Sequence, residues 1–268
     1  MDNYIVSARK YRPSTFRSVV GQKSLTTTLK NAIQSNKLAH AYLFCGPRGV
    51  GKTSCARIFA KTINCLNPTA DGEACNECES CKAFNEQRSY NIHELDAASN
   101  NSVDDIRALI DQVRIPPPIG KYKVFMIDEV HMLSIGAFNA LLKTIEEPPA
   151  HVIFIFATTE PNKVLPTIIS RCQRFDFNKV SMHDIKYRLS AVCKNEGIEI
   201  DENGLTLIAQ LADGGMRDAL SILDQCVAYC SSHIDVNDIR KIYGVITSED
   251  IGKLFYSVYK KDVDSCLL

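Results

Sequence analysis

The sequence predicts an α/β fold: a parallel sheet covered by helices on both faces, interrupted by a cysteine-rich insert and followed by a small all-helical unit. Three observations predict it. Near-continuous apolar runs, HAYLFC, KYKVFMIDEVHML and HVIFIFATT, alternate with segments of helical periodicity, the pattern of strands buried on both faces. A glycine-rich stretch, GPRGVGKT, joins the first run to a helix. From about Phe177 onward the β-branched runs stop and helical spacing takes over.

Along the chain, VGQKSLTTTLKNAIQSNKLA has helical spacing, HAYLFC is a short strand ending on glycine, and GPRGVGKTSCARIFAKTINC runs from loop into helix. The insert from Cys65 to Cys81 follows that helix and is expected to be a loop. NIHELDAAS reads as a strand, and NNSVDDIRALIDQVR as a helix whose Ser102 and Asp105 have capping-box spacing. KYKVFMIDEVHML is a buried strand entering a turn, GAFNALLKTIEEPP a helix stopped by Pro148, and HVIFIFATT another buried strand. Beyond Phe177, helices are expected in SMHDIKYRLSAVCKNEG, DENGLTLIAQLADG, MRDALSILDQCVAYCSS and DVNDIRKIYG. SEDIGKLFYSVYKKDVDSCLL starts one more helix.

With 268 residues, 45% of them apolar, the chain can bury one large core or two smaller ones, and the change of pattern near Phe177 favours two. Lys plus Arg equals Asp plus Glu at 31 each, so net charge gives no argument for binding nucleic acid or an acidic membrane. Any such contact must be local. MDNYIVSARKYRP has no apolar signal core, and nothing approaches the roughly 18 uninterrupted apolar residues of a membrane helix, so a cytoplasmic protein is expected. In a reducing compartment the eleven cysteines are not a disulfide framework. Cys65, Cys75, Cys78 and Cys81 cluster, whereas Cys45, Cys55, Cys172, Cys193, Cys226, Cys230 and Cys266 are scattered and read as small buried hydrophobes. Of the six histidines only His131 lies near the chemistry below, and the sequence assigns it no role.

Gly46, Pro47, Arg48, Gly49, Val50, Gly51, Lys52 and Thr53 match the full phosphate-loop pattern between a strand and a helix, with Ser54 next. Glycines let backbone N–H groups turn in around phosphates, and the helix N-terminus adds positive potential. Lys52 is expected on the β and γ phosphates and the Thr53 hydroxyl on Mg2+. VFMIDEVH carries a strand up to Asp128 and Glu129 at its C-terminal end, where α/β sheets bind ligands. Alone, two acidic residues describe a solvated turn equally well. Downstream of a phosphate loop, Asp128 is expected to hold Mg2+ through water, and Glu129 to activate the attacking water. An intact Glu129 argues for hydrolysis.

Four cysteines spaced Cys65, Cys75, Cys78, Cys81 offer four soft ligands, as structural zinc requires. CxxCxxC also occurs in ferredoxins, which keeps iron–sulfur ligation open, although the proline that follows the last ferredoxin cysteine is absent here. Unligated burial of all four is a third reading. With four protein ligands no coordination position is left for water, so zinc here would be structural, stabilising a surface knob too small for its own core.

The series KYRPSTFRSVVGQ, GPRGVGKTS, DAASNNSVDDIR, DEVHMLS, ALLKTIEEPP, FATTEPNKVLPTIISRCQ and GGMRDALSILDQ resembles the AAA+ ATPase subunits of sliding-clamp loaders, in the family's order and from about Tyr4 to Val245. The resemblance implies an AAA+ P-loop NTPase domain over residues 1–178 with a zinc insert at about 65–82, a helical lid over 179–243, and the start of a helical collar over 244–268. It further implies an adenine pocket at Tyr11, Arg12, Pro13, Val19, Val20 and Gly21, and a first sensor at Thr158. Arg171 would be an arginine finger reaching a neighbouring subunit's ATP, and Arg217 a second sensor from the lid. The implied cofactors are ATP, Mg2+ and structural Zn2+. The implied partners are delta and delta-prime subunits, other copies of the same subunit, the sliding clamp and primer-template DNA, within an assembly whose nucleotidyl transfer belongs to other subunits. ATP binding would favour an open clamp on DNA and hydrolysis would release it. Helix N-termini accept phosphates, so the helix near Asn100 to Arg107 is the expected DNA contact. With most of the collar missing, a largely monomeric chain that hydrolyses ATP slowly is expected. The rivals are another AAA+ motor, such as a branch-migration helicase, and a non-catalytic scaffold, against which the intact Lys52, Thr53, Asp128 and Glu129 count.

Overall fold

The computed structural model describes residues 5–230, 233–245 and 248–261; Tyr4, where the family resemblance begins, and Cys266 lie outside the described residues. In chain order the elements are α1 (Ser7–Lys10), α2 (Lys23–Gln34), β1 (Ala41–Cys45), α3 (Lys52–Ile63), α4 (Glu79–Asn85), β2 (Ile92–Asp96), α5 (Val103–Val113), β3 (Lys123–Asp128), α6 (Ile135–Glu146), β4 (Val152–Thr158), α7 (Pro166–Ile169) and β5 (Gln173–Asp176). They continue with α8 (Met182–Glu196), β6 (Glu199–Ile200), α9 (Glu202–Leu211), α10 (Met216–Cys230), β7 (His233–Ile234), α11 (Val236–Tyr243) and α12 (Ser248–Lys260).

β1 through β5 form one sheet in the order β2-β3-β4-β1-β5, parallel throughout. Every residue of β1 and β4 is buried, as their unbroken apolar runs require of strands covered on both faces. Alternation then divides them. Tyr42, Phe44, Ile153, Ile155 and Ala157 join the core under α2 and α3, while Leu43, Cys45, Phe154 and Phe156 join the core under α5 and α6. On that second face Phe154 stacks against Phe125 and Phe156, with ring centroids 5.6 and 5.8 Å away. Each such fully buried side chain contributes about 1.5–3 kcal/mol, so the sheet supplies a rigid base for whatever its edge carries.

The parallel register sets the C-terminal residues side by side: Cys45 opposite Thr158, and Asp96 opposite Asp128. A third core, from Val180 to Ile239, belongs to α8 through α11, with the two-residue parallel pair of β6 and β7 added to the expected helices. Ala8, Tyr11 and Val20 pack against this third core, and the Ser7 N–H donates to Asp224 on α10 at 2.7 Å. The N-terminal segment therefore touches the helical unit. The insert also departs from the expected loop. Cys78 takes the extended N-cap conformation before α4, Glu79 complements the helix dipole in the first turn, and Cys81 stands on the helix.

Candidate nucleotide site and cysteine centre

The loop after β1 and the start of α3 form the centre of the nucleotide site. Gly51 caps α3 at φ +99°, where no side chain bonds the first helical amides. Those N–H groups are left facing the loop, a ready anion site. Gly49 has φ +76°, and a Cβ there would stand 3.1 Å from Gly215 Cα and 3.0 Å from the Asp218 carboxylate. Only glycine lets the helical unit approach the loop this closely. The Lys52 ammonium donates to the carbonyls of Gly46 (2.8 Å) and Pro47 (2.7 Å). Burial pushes its pKa below the ordinary lysine value, against the opposing pull of Glu129 and Asp128.

The strand ends supply the acids. Thr53 Oγ1 donates to Asp128 Oδ2 at 2.7 Å, so the two side chains expected on one magnesium ion already meet. Asp128 Oδ1 accepts from the Glu129 N–H at 3.0 Å. A cavity of about 210 Å³ opens beside this pair and adds the carboxylates of Glu94 and Asp96. A larger one, about 730 Å³, lies between α4 and Pro118–Ile119 and contains none of the nucleotide-site residues. The chemistry follows the strand ends, not the larger hollow.

Glu129 occupies left-handed backbone space at φ +48° and ψ +46°, a strained choice for a non-glycine residue. The turn it begins brings His131 back over the end of β4. His131 Nδ1 lies 2.9 Å from Thr158 Oγ1 and 3.4 Å from Glu129 Oε2, and Nε2 lies 3.5 Å from Glu160 Oε1. Thr158 is fully buried, and its hydroxyl oxygen also accepts the Glu160 N–H at 3.0 Å. Glu129 Oε2 accepts from the N–H and hydroxyl of Thr159. Sequence reasoning gave His131 no part in this cluster, because its partners lie on another strand.

The four cysteine sulfurs lie within 4.8 Å of one another, with Cys65 3.4 Å from Cys75 and 4.0 Å from Cys78. One tetrahedral ion with bonds near 2.3 Å would set its sulfurs about 3.8 Å apart, so the donor set fits a single ion. Backbone N–H groups of Cys75 and Cys78 point at the sulfurs of Cys65 and Cys75, both at 3.3 Å. Backbone hydrogen bonds draw the Cys75 thiol down to about 6, which favours a thiolate ligand. Among the described residues, Cys45, Cys55 and Cys226 behave as packing: burial raises the thiols of Cys45 and Cys55, and pushes Cys226 up to about 11. The insert is tied to the rest of the chain. The Glu73 carboxylate accepts from the backbone N–H groups of Phe16 (2.9 Å) and Arg17 (3.2 Å) and pairs with Lys30, and Lys61 bridges Asn76 and the Ser14 carbonyl.

Residues 21–181 match the family model described as DNA polymerase III, delta subunit, and residues 184–232 match the DNA polymerase III clamp loader subunit ATPase lid domain. This chain belongs to the DNA polymerase III clamp-loader subunits. Among relatives of this family it is 51% identical to DNA polymerase III subunit tau of Bacillus subtilis, over 99% of this chain and 47% of the relative. To subunit tau of Escherichia coli it is 42% identical, over 92% and 38%. The chain thus spans less than half the length of the curated relatives it matches. Among solved structures, the Thermotoga maritima RuvB Holliday junction branch migration motor superposes with a TM-score of 0.63 over 93% of this chain and 80% of that one. At 19% identity that likeness concerns the AAA+ fold alone.

As a clamp-loader subunit the chain carries an AAA+ ATPase-type domain, a class that uses nucleotide and Mg2+. The other residues singled out in the sequence fall in two groups. Near the site, Arg12 Nε donates to Ser54 Oγ at 3.2 Å, and the Arg217 N–H reaches the Gly49 carbonyl at 3.3 Å while its side chain is exposed. Tyr11 turns the other way, its ring 5.7 Å from the Arg188 guanidinium and its hydroxyl bonded to Glu196. Pro13 and Val20 are half-buried beside it in sequence. Arg171 stands apart on the surface, bonded to Glu146 (2.7 Å) and the Thr167 carbonyl (2.8 Å). The start of α5 is less open than expected. Ser102 and Asp105 close a capping box, and Asp104 and Asp105 set negative charge in the first turn, where a DNA phosphate would be repelled. No helix among the described residues is long and apolar enough to cross a membrane.

Proposed function

We propose that this chain is the ATP-hydrolysing part of a tau/gamma-type subunit of the sliding-clamp loader: ATP binding favours an open clamp on primer-template DNA, and hydrolysis releases it. The observation that carries this reading is the convergence of Lys52, Thr53, Asp128, Glu129 and Thr158 at one sheet edge of a clamp-loader family member. The loop from Gly46 to Ser54 wraps the phosphates with its amides, and Lys52 turns from its own loop carbonyls to the phosphate oxygens. Thr53 and Asp128 hold the magnesium ion, Glu129 takes a proton from water, and Thr158 donates its hydroxyl beside it. Magnesium held by these two side chains would supply positive charge against the transferring phosphoryl group. Arg217 reports closure of the lid, and Arg12, Pro13 and Val20 border the base, while the Tyr11 ring, turned toward Arg188 and Glu196, is not part of that border.

The same reading gives the four cysteines to structural zinc, with no position left for water; an iron–sulfur cluster of several irons would hold its thiolates further apart than these sulfurs stand. The partners it implies are delta and delta-prime subunits, other tau/gamma copies, the clamp and DNA. Arg171 acts in trans, and its pairing with Glu146, exposed on both sides, is worth less than about 1 kcal/mol and is given up readily at an interface.

The test is ATP turnover of the full-length protein assembled with those subunits, clamp and DNA, comparing native Arg171 with Arg171→Ala. Turnover stimulated by DNA and clamp, reduced about 10³-fold by the substitution while ATP binding survives, is the expected result. Turnover indifferent to both DNA and clamp sends the function to other AAA+ motors.

A further inference from the structure

His131 is a buried imidazole whose both nitrogens face functional groups. Its side chain is only 6% exposed. Nδ1 meets Thr158 Oγ1 at 2.9 Å and Glu129 Oε2 at 3.4 Å, on the two side chains proposed to sense and to activate the water. Stereochemistry restricts what this contact can be. A carboxylate oxygen only accepts, and each ring nitrogen faces one; Nδ1 has the nearer carboxylate, Glu129 at 3.4 Å against 3.5 Å from Nε2 to Glu160, and carries the proton in the arrangement proposed below. Thr158 Oγ1 then accepts twice, from His131 Nδ1 and from the Glu160 N–H at 3.0 Å. Its own hydrogen has no remaining use inside the cluster and must be donated to a third partner. Without His131 that hydroxyl keeps only the Glu160 N–H as a fixed partner and is free to rotate.

We propose that His131 is a positioning residue for ATP hydrolysis: its Nδ1–H, shared between Thr158 Oγ1 and Glu129 Oε2, makes the Thr158 hydroxyl an obligate donor and holds the Glu129 carboxylate beside it. This inference rests on the ATPase reading above. Glu160 completes the device from the other side, 3.5 Å from Nε2, and is itself held by Lys163 at 2.8 Å, whose hydrogen bond keeps the Glu160 carboxyl below its usual range. The imidazole edge is therefore fixed in its plane by groups from β4 and the turn that follows it. Because one N–H serves two acceptors, movement of either alters the hold on the other, which couples the sensor to the base.

The experiment is single-turnover ATP hydrolysis by the full-length protein assembled with its partner subunits, with ATP affinity measured separately. His131→Ala lowers the chemical rate by roughly 10 to 100-fold and leaves ATP affinity within about twofold, the split expected when an orienting partner is lost. In His131→Asn the amide N–H can occupy the Nδ1 position and recovers part of the rate; His131→Gln, whose amide reaches the Nε2 position, does not. A double-mutant cycle with Thr158→Val guards against a folding defect: in the Thr158→Val background His131→Ala is expected to slow the reaction by clearly less than it slows the native protein, since only the hold on Glu129 is then left to lose. Additive losses, or a rate for His131→Ala within twofold of the native, overturn the proposal. A native assembly that hydrolyses no ATP overturns the ATPase reading instead, so the two failures are distinct.

Discussion

The nucleotide site collects its side chains from the ends of β1, β3 and β4, from Lys52 to Thr158, whereas the cysteine centre collects four ligands between Cys65 and Cys81. The first depends on long-range pairing: Thr53 meets Asp128 only when the sheet has formed. The second has almost no apolar core of its own beyond Ala74 and the cysteines, and on the zinc reading proposed above an ion would hold its short loop. A site made by a sheet inherits the sheet's stability. A site made by a loop must bring its own. If this contrast holds, damage to one should leave the other standing.

Lys52→Ala gives the largest effect. Removing the ammonium that bonds the loop carbonyls takes away the main cationic donor to phosphate, and ATP turnover falls by at least about 10²–10³-fold. Metal content, measured by atomic emission on the purified protein, stays at its native value. Loss of metal together with nucleotide binding would show that the two regions form one cooperative unit and break the contrast.

Cys78→Ser, or chelation, attacks the other side. Bound zinc falls from one equivalent toward none, and the clustered thiols, three in the variant and four after chelation, become open to a thiol reagent, while ATP affinity changes less than about threefold because no nucleotide-site residue lies in the cluster. The scattered thiols supply an internal control. Burial pushes Cys172 up to about 12 and Cys193 and Cys226 up to about 11. A raised thiol stays neutral until pH approaches that value, so at pH 8 roughly 0.1% or less of each is thiolate and reaction is slow. Rapid labelling of Cys193 or Cys226 before chelation would mean that the helical unit opens easily, and of Cys172 that the sheet unit does.

The same contrast explains what could be read in the chain. GPRGVGKT and DEV were legible because each side chain in question sits at a fixed step from a strand of unbroken apolar residues, and the cysteine spacing was legible because all four candidate ligands share one short segment. β5 was not: in QRFD only Phe175 is buried, too little for any periodicity to register. α4 escaped because only Cys81 and Phe84 of its seven residues are buried. His131 escaped for a different reason. A lone histidine has no signature, and its contact with Thr158 exists only through the pairing of β3 with β4. Arg171 needed the family resemblance, since an arginine proposed to act on another subunit shows only a surface ion pair in its own chain.

Glu73 offers the finest test, because it is where the two regions touch. It lies in the insert, yet its carboxylate takes the first two N–H groups of the turn at Phe16–Ser18, and Val19, Val20 and Gly21 follow directly toward the proposed base pocket. A carboxylate at the start of a helical turn satisfies amides that have no partner within the turn. With only 14% of its side chain exposed, and Lys30 bonded to the same oxygen at 2.7 Å, Glu73 leaves three donors unsatisfied when removed. Glu73→Ala should therefore cost about 1–3 kcal/mol in stability, and Glu73→Gln less, since its amide oxygen still accepts. The question is whether nucleotide binding feels it. A slack Phe16–Gly21 segment would weaken ATP affinity by about two- to fivefold, an energy below 1 kcal/mol, with zinc retained. If the melting temperature falls while ATP affinity is unchanged, the contact is structural support only and the two sites are as independent as their construction suggests. If affinity falls in both variants in proportion to stability, the metal-held insert helps shape the base pocket from outside it.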